Sequence, residues 1–482
     1  MNFRLIFYLV AVVVIYLGLS MSLPLFVSLY YNDGSALAIV ISMLVTCGLG
    51  GIVFFMTRGH HDYYLNHRSG MAIVTMGWIA AGLTATLPYL ISGAIPNFTQ
   101  AYFESMSGFT TTGASILKNI EALPPAMLLW RAQTQWLGGM GIIVLSIAIL
   151  PFLGIGGMQL YKAETPSPVV DKLTPRISST AKVLWKIYVI MTMTQIILLL
   201  FGGMSLYDSI CHSFTTMPTG GFSTKNASVG HYQSIYIDFI IMMFMFLAGI
   251  NFSLHYKLIN GHPRQFFRDP ELRVYFGITG IFILLVFLDV YGTIYPRLLD
   301  AFRYASFQVV SIITTTGFAT ADYEKWPDFS QLVLFFCMFL GSMAGSTGGG
   351  IKIMRLILLV KHCYQEIFHI IHPHATTIVK LGNNPVSQTI IRSIWGFFLL
   401  YVAIFIIGAI ALAALGLDVI SSLTAMATCL GNVGPGLGSV GPMDNFAGVP
   451  IAGQWILIFA MLLGRLEIYT IIVLLIPAFW RK

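Results

Sequence analysis

The sequence predicts an all-α membrane protein that crosses the bilayer many times. Two leading helices precede four repeats of one unit, set with pseudo-fourfold symmetry. Three observations lead there. Of 482 residues, 57% are hydrophobic and 9% charged, whereas soluble domains are about one quarter charged. The apolar residues fall into segments of the length that spans a bilayer, about 20 residues. And four turns rich in small residues recur along the chain, with glycines Gly113, Gly221, Gly317 and Gly434 at intervals of 108, 96 and 117 residues.

Taken in order, residues 1–70 hold two spans, 4–30 and 35–56. The N-terminus resembles a signal peptide, but its apolar core is too long and further spans follow, so an uncleaved helix is expected. Residues 71–158 form the first repeat, with spans 71–93 and 126–150, and a loop 159–180 follows. The second repeat, 181–272, has spans 181–203 and 235–258. The third, 273–362, has 274–295 and 329–345, with a short apolar run 351–360. After a loop 363–387, the fourth, 388–482, has 388–415 and 452–478.

Lys and Arg set the orientation. Arg58 and Arg68, then Lys162, Lys172, Arg176, Lys182 and Lys186, then Lys257, Arg264, Arg268 and Arg273, then Lys352, Arg355, Lys361 and Lys380 mark alternate loops, and the chain ends Arg481-Lys482. Those loops are the cytoplasmic side, with both termini inside. The net charge of +7 is therefore a topology signal, and nucleic acid is not an expected partner. The opposite loops carry acid, Asp33, Glu121, Asp322, Glu324, Asp328 and Asp444 among it, which either raises the local cation concentration or is ordinary solvated charge. The cysteines, Cys47, Cys211, Cys337, Cys363 and Cys429, form no metal-type cluster and read as free thiols. His60, His61, His372 and His374 lie in cytoplasmic loops; they could bind metal, but read as solvated or partner-facing. No phosphate-binding glycine motif opens a helix, so no nucleotide site is expected in this chain. Clustered acids, histidines or cysteines at one depth are lacking in the sequence, which argues against an enzyme.

The four turns read FTTTGAS (109–115), TTMPTGGFST (215–224), ITTTGFAT (313–320) and CLGNVGPGLG (429–438). A stretch too short to span precedes each: 98–109, 206–214, 298–313 and 418–428. Each such stretch has an acid near its outer start: Glu104, Asp208, Asp300 and Asp418. A half-span must leave by the face it entered, and non-helical backbone at membrane depth survives only inside protein or along water. Four such loops converging would line one pore. Glycine accepts positive φ and can turn its carbonyl inward. Threonine adds a hydroxyl acceptor, and a half-helix aims the negative end of its dipole at the turn. Such oxygens can replace a cation's water shell. With no fixed carboxylate among them, they suit a monovalent alkali cation better than a divalent one.

Two more polar features interrupt spans. LGSMAGSTGGGIK (340–352) holds five glycines between 341 and 350, at about 1 kcal/mol each against helix, so the eighth span should break there. Arg465 lies about 11 residues into the last span, near mid-membrane, where a charge must face a cavity or a partner. Glu467 is two residues on, so it faces away from Arg465. Arg465 and Glu467 stand out as the mid-span ionisable groups.

With these turns and motifs, the chain closely resembles the TrkH-type bacterial potassium uptake proteins of the Trk/Ktr/HKT superfamily over its whole length. The resemblance implies four M1–P–M2 units, potassium-channel-like, around a single potassium pore in the bacterial inner membrane. It implies a filter for potassium ions at Thr111, Thr112 and Gly113, at Gly220 and Gly221, at Thr315, Thr316 and Gly317, and at Asn432, Val433 and Gly434. The unequal turns, with Pro218 and Gly220 in the second and Pro435 and no threonine in the fourth, lead us to expect weaker discrimination than in a symmetric filter. It further implies an intramembrane gate at 341–352, with Gly345, Ser346, Thr347, Gly348, Gly349 and Gly350. Lys352 would project towards the conduction path or snorkel inward. Arg465 would be an electrostatic barrier below the filter, the alternative being a structural tether to carbonyls at loop C-termini. The implied partners are a second copy of the chain, with two separate pores, membrane lipid, and a cytosolic nucleotide-binding ring of the TrkA type docked on basic loops such as 159–180 and 258–273. A sodium- or proton-coupled symporter is the alternative mechanism, though coupling asks for an ionisable residue in the path.

Overall fold

A computed structural model describes residues 3–59, 67–148, 173–375, 377–382 and 384–481. His60, His61, Lys162, Lys172, Lys482 and most of loop 159–180 lie outside the described residues. The chain is almost wholly helical, and a two-residue hairpin, Lys380–Leu381 with Asn384–Pro385, is the sole sheet among the described residues.

Among the described residues, six helical segments are long and apolar enough to cross a membrane: Phe3–Tyr31, Ala36–Thr57, Arg68–Ile91, Ala181–Phe201, Pro270–Val290 and Gln388–Ala414. Between 22% and 44% of each is buried within the chain. Side chains such as Phe55, Ile281 and Ile407 therefore stand outward, as spans do when their solvent is lipid. The leading span and Ala36–Thr57 cross at small residues, where Gly18 faces Cys47 and Gly50 faces Ile15. Lipid offers no hydrophobic drive, so close approach at small residues supplies the packing. Asp33 ties their connection to the next unit: it accepts from Ser35 N (2.9 Å) and from Ala126 N (2.9 Å).

The expected span 126–150 is the helix Pro125–Ala148, more polar than the others because it carries the buried Arg131, Gln133 and Gln135. Two expected spans are not continuous. Residues 235–258 form Ile235–Ala248 and Phe252–Ile259, bent by 102°. The break falls at Gly249, and the Asn251 side chain caps the second helix by accepting from Ser253 N (2.8 Å). Residues 452–478 form Ile451–Arg465 and Ile468–Leu475, bent by 118°, where Glu467 takes φ +64°. The eighth span breaks as its glycines demand: Asp328–Cys337, an irregular loop, then Ile353–Ile371.

The four short stretches are helices Phe98–Phe109, Leu206–Thr216, Leu298–Ile313 and Val419–Gly431. At 11 to 16 residues they rise about 17–24 Å, less than the hydrocarbon thickness. Asn97, Ser205 and Asp418 cap three of them by accepting from Gln100, Asp208 and Ser421 N–H groups, a local signal that fixes where each starts. Their last turns are buried throughout.

Candidate functional site

Each short helix ends in the same backbone figure. Thr111, Thr219, Thr315 and Asn432 take left-handed φ of 51°, 57°, 58° and 55°. Two residues on, Gly113, Gly221, Gly317 and Gly434 take φ of 84°, 75°, 81° and 102°. Between them, the amides of Thr112, Gly220, Thr316 and Val433 each donate to the carbonyl five residues back, at 2.9, 2.8, 2.8 and 2.8 Å. A non-glycine residue in this region costs roughly 1–2 kcal/mol. Four of them at one repeat position mark a shared constraint.

The turns close a ring. A Cβ on Gly113 would strike the Gly220 carbonyl oxygen; on Gly221, that of Thr316; on Gly317, that of Val433; on Gly434, that of Thr112, at 2.7 Å. Turn one thus faces turn two, two faces three, three faces four, and four returns to one. The glycines are required twice over, for their φ and for the approach of a neighbour's oxygen. A cavity of about 110 Å³ opens above, lined by Gly113, Gly221, Gly317 and Pro435.

Behind the ring, each short helix anchors the strand leaving its own turn. The residue nine before the glycine does so in three units. Glu104 accepts from Ile116 N (2.9 Å), His212 Nε2 meets Ser223 Oγ (3.0 Å), and the Gln308 amide meets Thr320. In the fourth that position is Ala425, and Thr424 Oγ1 accepts from Leu437 N (3.1 Å) instead. The four anchors are a carboxylate, an imidazole, an amide and a hydroxyl, so the units match in backbone and differ in chemistry. Of the acids expected at the outer starts, Asp208 and Asp300 lie in first turns and Asp418 is a cap. Glu104 sits midway along its helix, buried, and pairs with Arg131. Arg131 also donates to Ser223 O (3.0 Å) and stacks on Phe222 at 3.5 Å.

Loop 341–352 packs under the ring. Its neck is closed by Gly341 N to Ile351 O (2.7 Å) and Ile351 N to Phe339 O (3.0 Å). Thr347 Oγ1 donates to Met217 O (2.9 Å), and Gly349 N donates to Thr315 Oγ1 (2.7 Å). A Cβ on Gly349 would strike Gly431 O. The loop therefore touches the helix ends of units two, three and four. Ser346 bonds within the loop, to Met343 O, and Gly345 O accepts from Phe252 N (3.1 Å). Gly350 takes φ +62° at the neck, while a Cβ on Gly348 would strike Ser342 Oγ. Lys352 folds its Nζ back on the Gly348 carbonyl of the same loop. Buried Glu271, at the start of Pro270–Val290, accepts from Ala344 N (2.8 Å) and Met354 N (3.0 Å), holding both shoulders of the loop.

Arg465 ends its helix, and its Nη1 donates to Thr347 O (2.7 Å) at 3% exposure. Glu467 faces elsewhere, as its spacing requires, and pairs with Arg355 (2.7 Å), which stacks on Phe397 at 3.9 Å. Reading Arg465 and Glu467 as the mid-span ionisable groups was too narrow. Arg131, Glu104, Glu271, Arg355 and Asp238 are buried too, Asp238 paired with the half-buried Arg303. Thr219 was also missed, although aligning the turns on their glycines puts it opposite Thr111 and Thr315. Among the described residues no cluster of metal-ligating acids, histidines or cysteines occurs.

Comparison with known proteins fits this architecture. The family model TrkH, described as a cation transport protein, matches residues 35–482. The Trk system potassium uptake protein TrkH of Salmonella typhimurium is 43% identical over all of both chains. TrkG of Escherichia coli is 35% identical over 96% of each. The crystal structure of the potassium transporter TrkH from Vibrio parahaemolyticus superposes with a TM-score of 0.92 at 39% identity, covering all of both chains.

Proposed function

The chain belongs to the TrkH family of cation transport proteins, and we propose that it takes up potassium ions across the bacterial inner membrane through the ring of turns. One observation carries this reading: each ring glycine faces the carbonyl oxygen of the next turn, so Thr112, Gly220, Thr316 and Val433 contribute their oxygens to one closed ring. Carbonyl oxygens without a carboxylate suit a monovalent cation. The chain is then four M1–P–M2 units behind two extra helices, with Thr111, Thr315 and Asn432 supporting the ligating residues from below.

The loop 341–352 is the gate. It bonds helix ends of several units at once, so a small movement of it opens or blocks the passage. Arg465 holds it by the Thr347 carbonyl and adds a positive barrier to ions leaving the ring. Coupled symport would need a carboxylate free to cycle; Glu104 and Glu467 are each locked to an arginine, and Glu271 is held by two backbone amides of the loop. A homodimer with both termini cytoplasmic, regulated by a TrkA-type nucleotide-binding ring on the basic cytoplasmic loops, completes the proposal.

The test is ion flux through the purified protein in liposomes, comparing potassium, rubidium, sodium and lithium, with and without the nucleotide-loaded regulator. Potassium and rubidium should pass faster than sodium and lithium without a proton or sodium gradient. Flux that requires such a gradient would overturn the channel-like mechanism.

A further inference from the structure

The second turn differs from the others in how it is held. In turns one and three, paired hydroxyls brace the residue before the glycine: Thr112 Oγ1 lies 2.8 Å from Thr110 Oγ1, and Thr316 Oγ1 lies 2.8 Å from Thr314 Oγ1. At the same two positions turn two has Pro218 and Gly220. Neither supplies a hydroxyl, and two adjacent glycines, Gly220 and Gly221, leave this quarter of the ring the loosest by composition.

Gln135 fills the gap from another unit. It lies on Pro125–Ala148, fully buried. Its Nε2 donates to Gly220 O (2.7 Å) and its Oε1 accepts from Phe222 N (3.1 Å). A Cβ on Gly220 would meet the Gln135 amide, with Oε1 at 2.5 Å and Nε2 at 2.7 Å. The amide thus occupies the volume where the other turns keep a side chain. One helical turn earlier Arg131 bonds Ser223 O (3.0 Å) on the same strand, so two side chains four residues apart grip residues 220–223 from one helix face.

We propose that Gln135 is a specificity-determining positioning residue. It fixes the Gly220 carbonyl as the second member of the ring and, by holding one of its lone pairs, makes that oxygen a weaker cation ligand than the other three. Ion preference is then set partly by a residue outside all four turns. The inference rests on the proposed reading of the ring as an ion filter.

The test uses full-length protein in liposomes, with the potassium-over-sodium flux ratio as the readout and rubidium uptake as the measure of assembled protein. Gln135→Leu keeps the volume and removes both bonds. The ratio should fall roughly fivefold, the effect of about one lost hydrogen bond, while rubidium uptake persists. An unchanged ratio overturns the proposal. Should Gln135→Leu fail to assemble, Gln135→Ala is compared with Gln135→Ala/Gly220→Thr, which restores a threonine at that position in the vacated space; φ at Gly220 is not positive. A ratio raised about threefold or more by the threonine supports the proposal, and equal ratios overturn it. Gly317→Ser runs alongside. If it changes the ratio and Gln135 variants do not, this inference alone fails. If neither changes it, the filter reading fails and takes the inference with it.

Discussion

Replacing Arg465 separates a tether from a barrier. The guanidinium donates one charge-assisted bond to the Thr347 carbonyl at 2.7 Å, and such bonds are worth about 1.5–3 kcal/mol. Every 1.4 kcal/mol is a factor of about ten. Arg465→Ala should therefore shift the proposed gate roughly ten- to hundredfold from the blocking position of the loop towards an open one. The observed gain is capped by how far the native protein is already open. Arg465→Gln removes the charge but keeps a neutral donor, so it should recover part of the tether and give an intermediate rate. The assay is initial rubidium uptake into proteoliposomes at matched protein density. If Ala and Gln variants both fold and both conduct at the native rate, neither the tether nor the barrier exists. If Gln matches Ala, charge alone sets the rate.

Other outcomes follow from the same geometry. Glu104→Gln leaves Arg131 buried without its counter-charge and should cost about 3–5 kcal/mol, read as a fall in thermal stability in detergent; Glu104→Gln/Arg131→Met should regain most of it. Alanine should be tolerated better at Gly434 than at Gly113, Gly221 or Gly317, because its Cβ meets the neighbouring oxygen at 2.7 Å and the other three approach closer; ranked potassium-over-sodium ratios check this. At Asp33, burial pushes the carboxyl up, but the bonds it accepts from Ser28, Ala126 and Ser35 outweigh this and hold it below the ordinary value. Its stabilisation is present above pH about 4 and is lost as pH falls through the lowered value. Asp33→Asn should therefore flatten the acid limb of a thermal-unfolding profile.

Much of the site was legible because its demands are local. A positive φ at four spaced positions asks for glycine, and a half-length apolar stretch with an outer cap asks for a re-entrant helix; both are written in consecutive residues. The break in the eighth span was readable for the same reason, since five glycines cannot sustain a helix. What escaped depends on residues far apart in sequence. The pairing of Glu104 with Arg131 and of Arg355 with Glu467 requires knowing which helices touch. The bends at Gly249 and Glu467 are local in geometry, yet their signals, one glycine and one polar residue in apolar runs, occur elsewhere without a bend. Gln135 had a visible trace in WRAQTQW (130–136), four polar side chains inside an otherwise apolar span. Thr219 was within reach of the alignment itself.

The handing of each glycine to the next turn's oxygen takes place within one polypeptide. In a ring of four identical chains, any substitution appears four times. A change costing about 1 kcal/mol then weighs about 4, a large part of a domain's typical 5–15 kcal/mol margin. Here a codon alters one quadrant. On the proposed filter reading, selectivity can be tuned one quadrant at a time, and a helix from one unit can steady a neighbour's turn, as Gln135 does. The differing anchors behind the four turns, Glu104, His212, Gln308 and Thr424, are such single-quadrant differences.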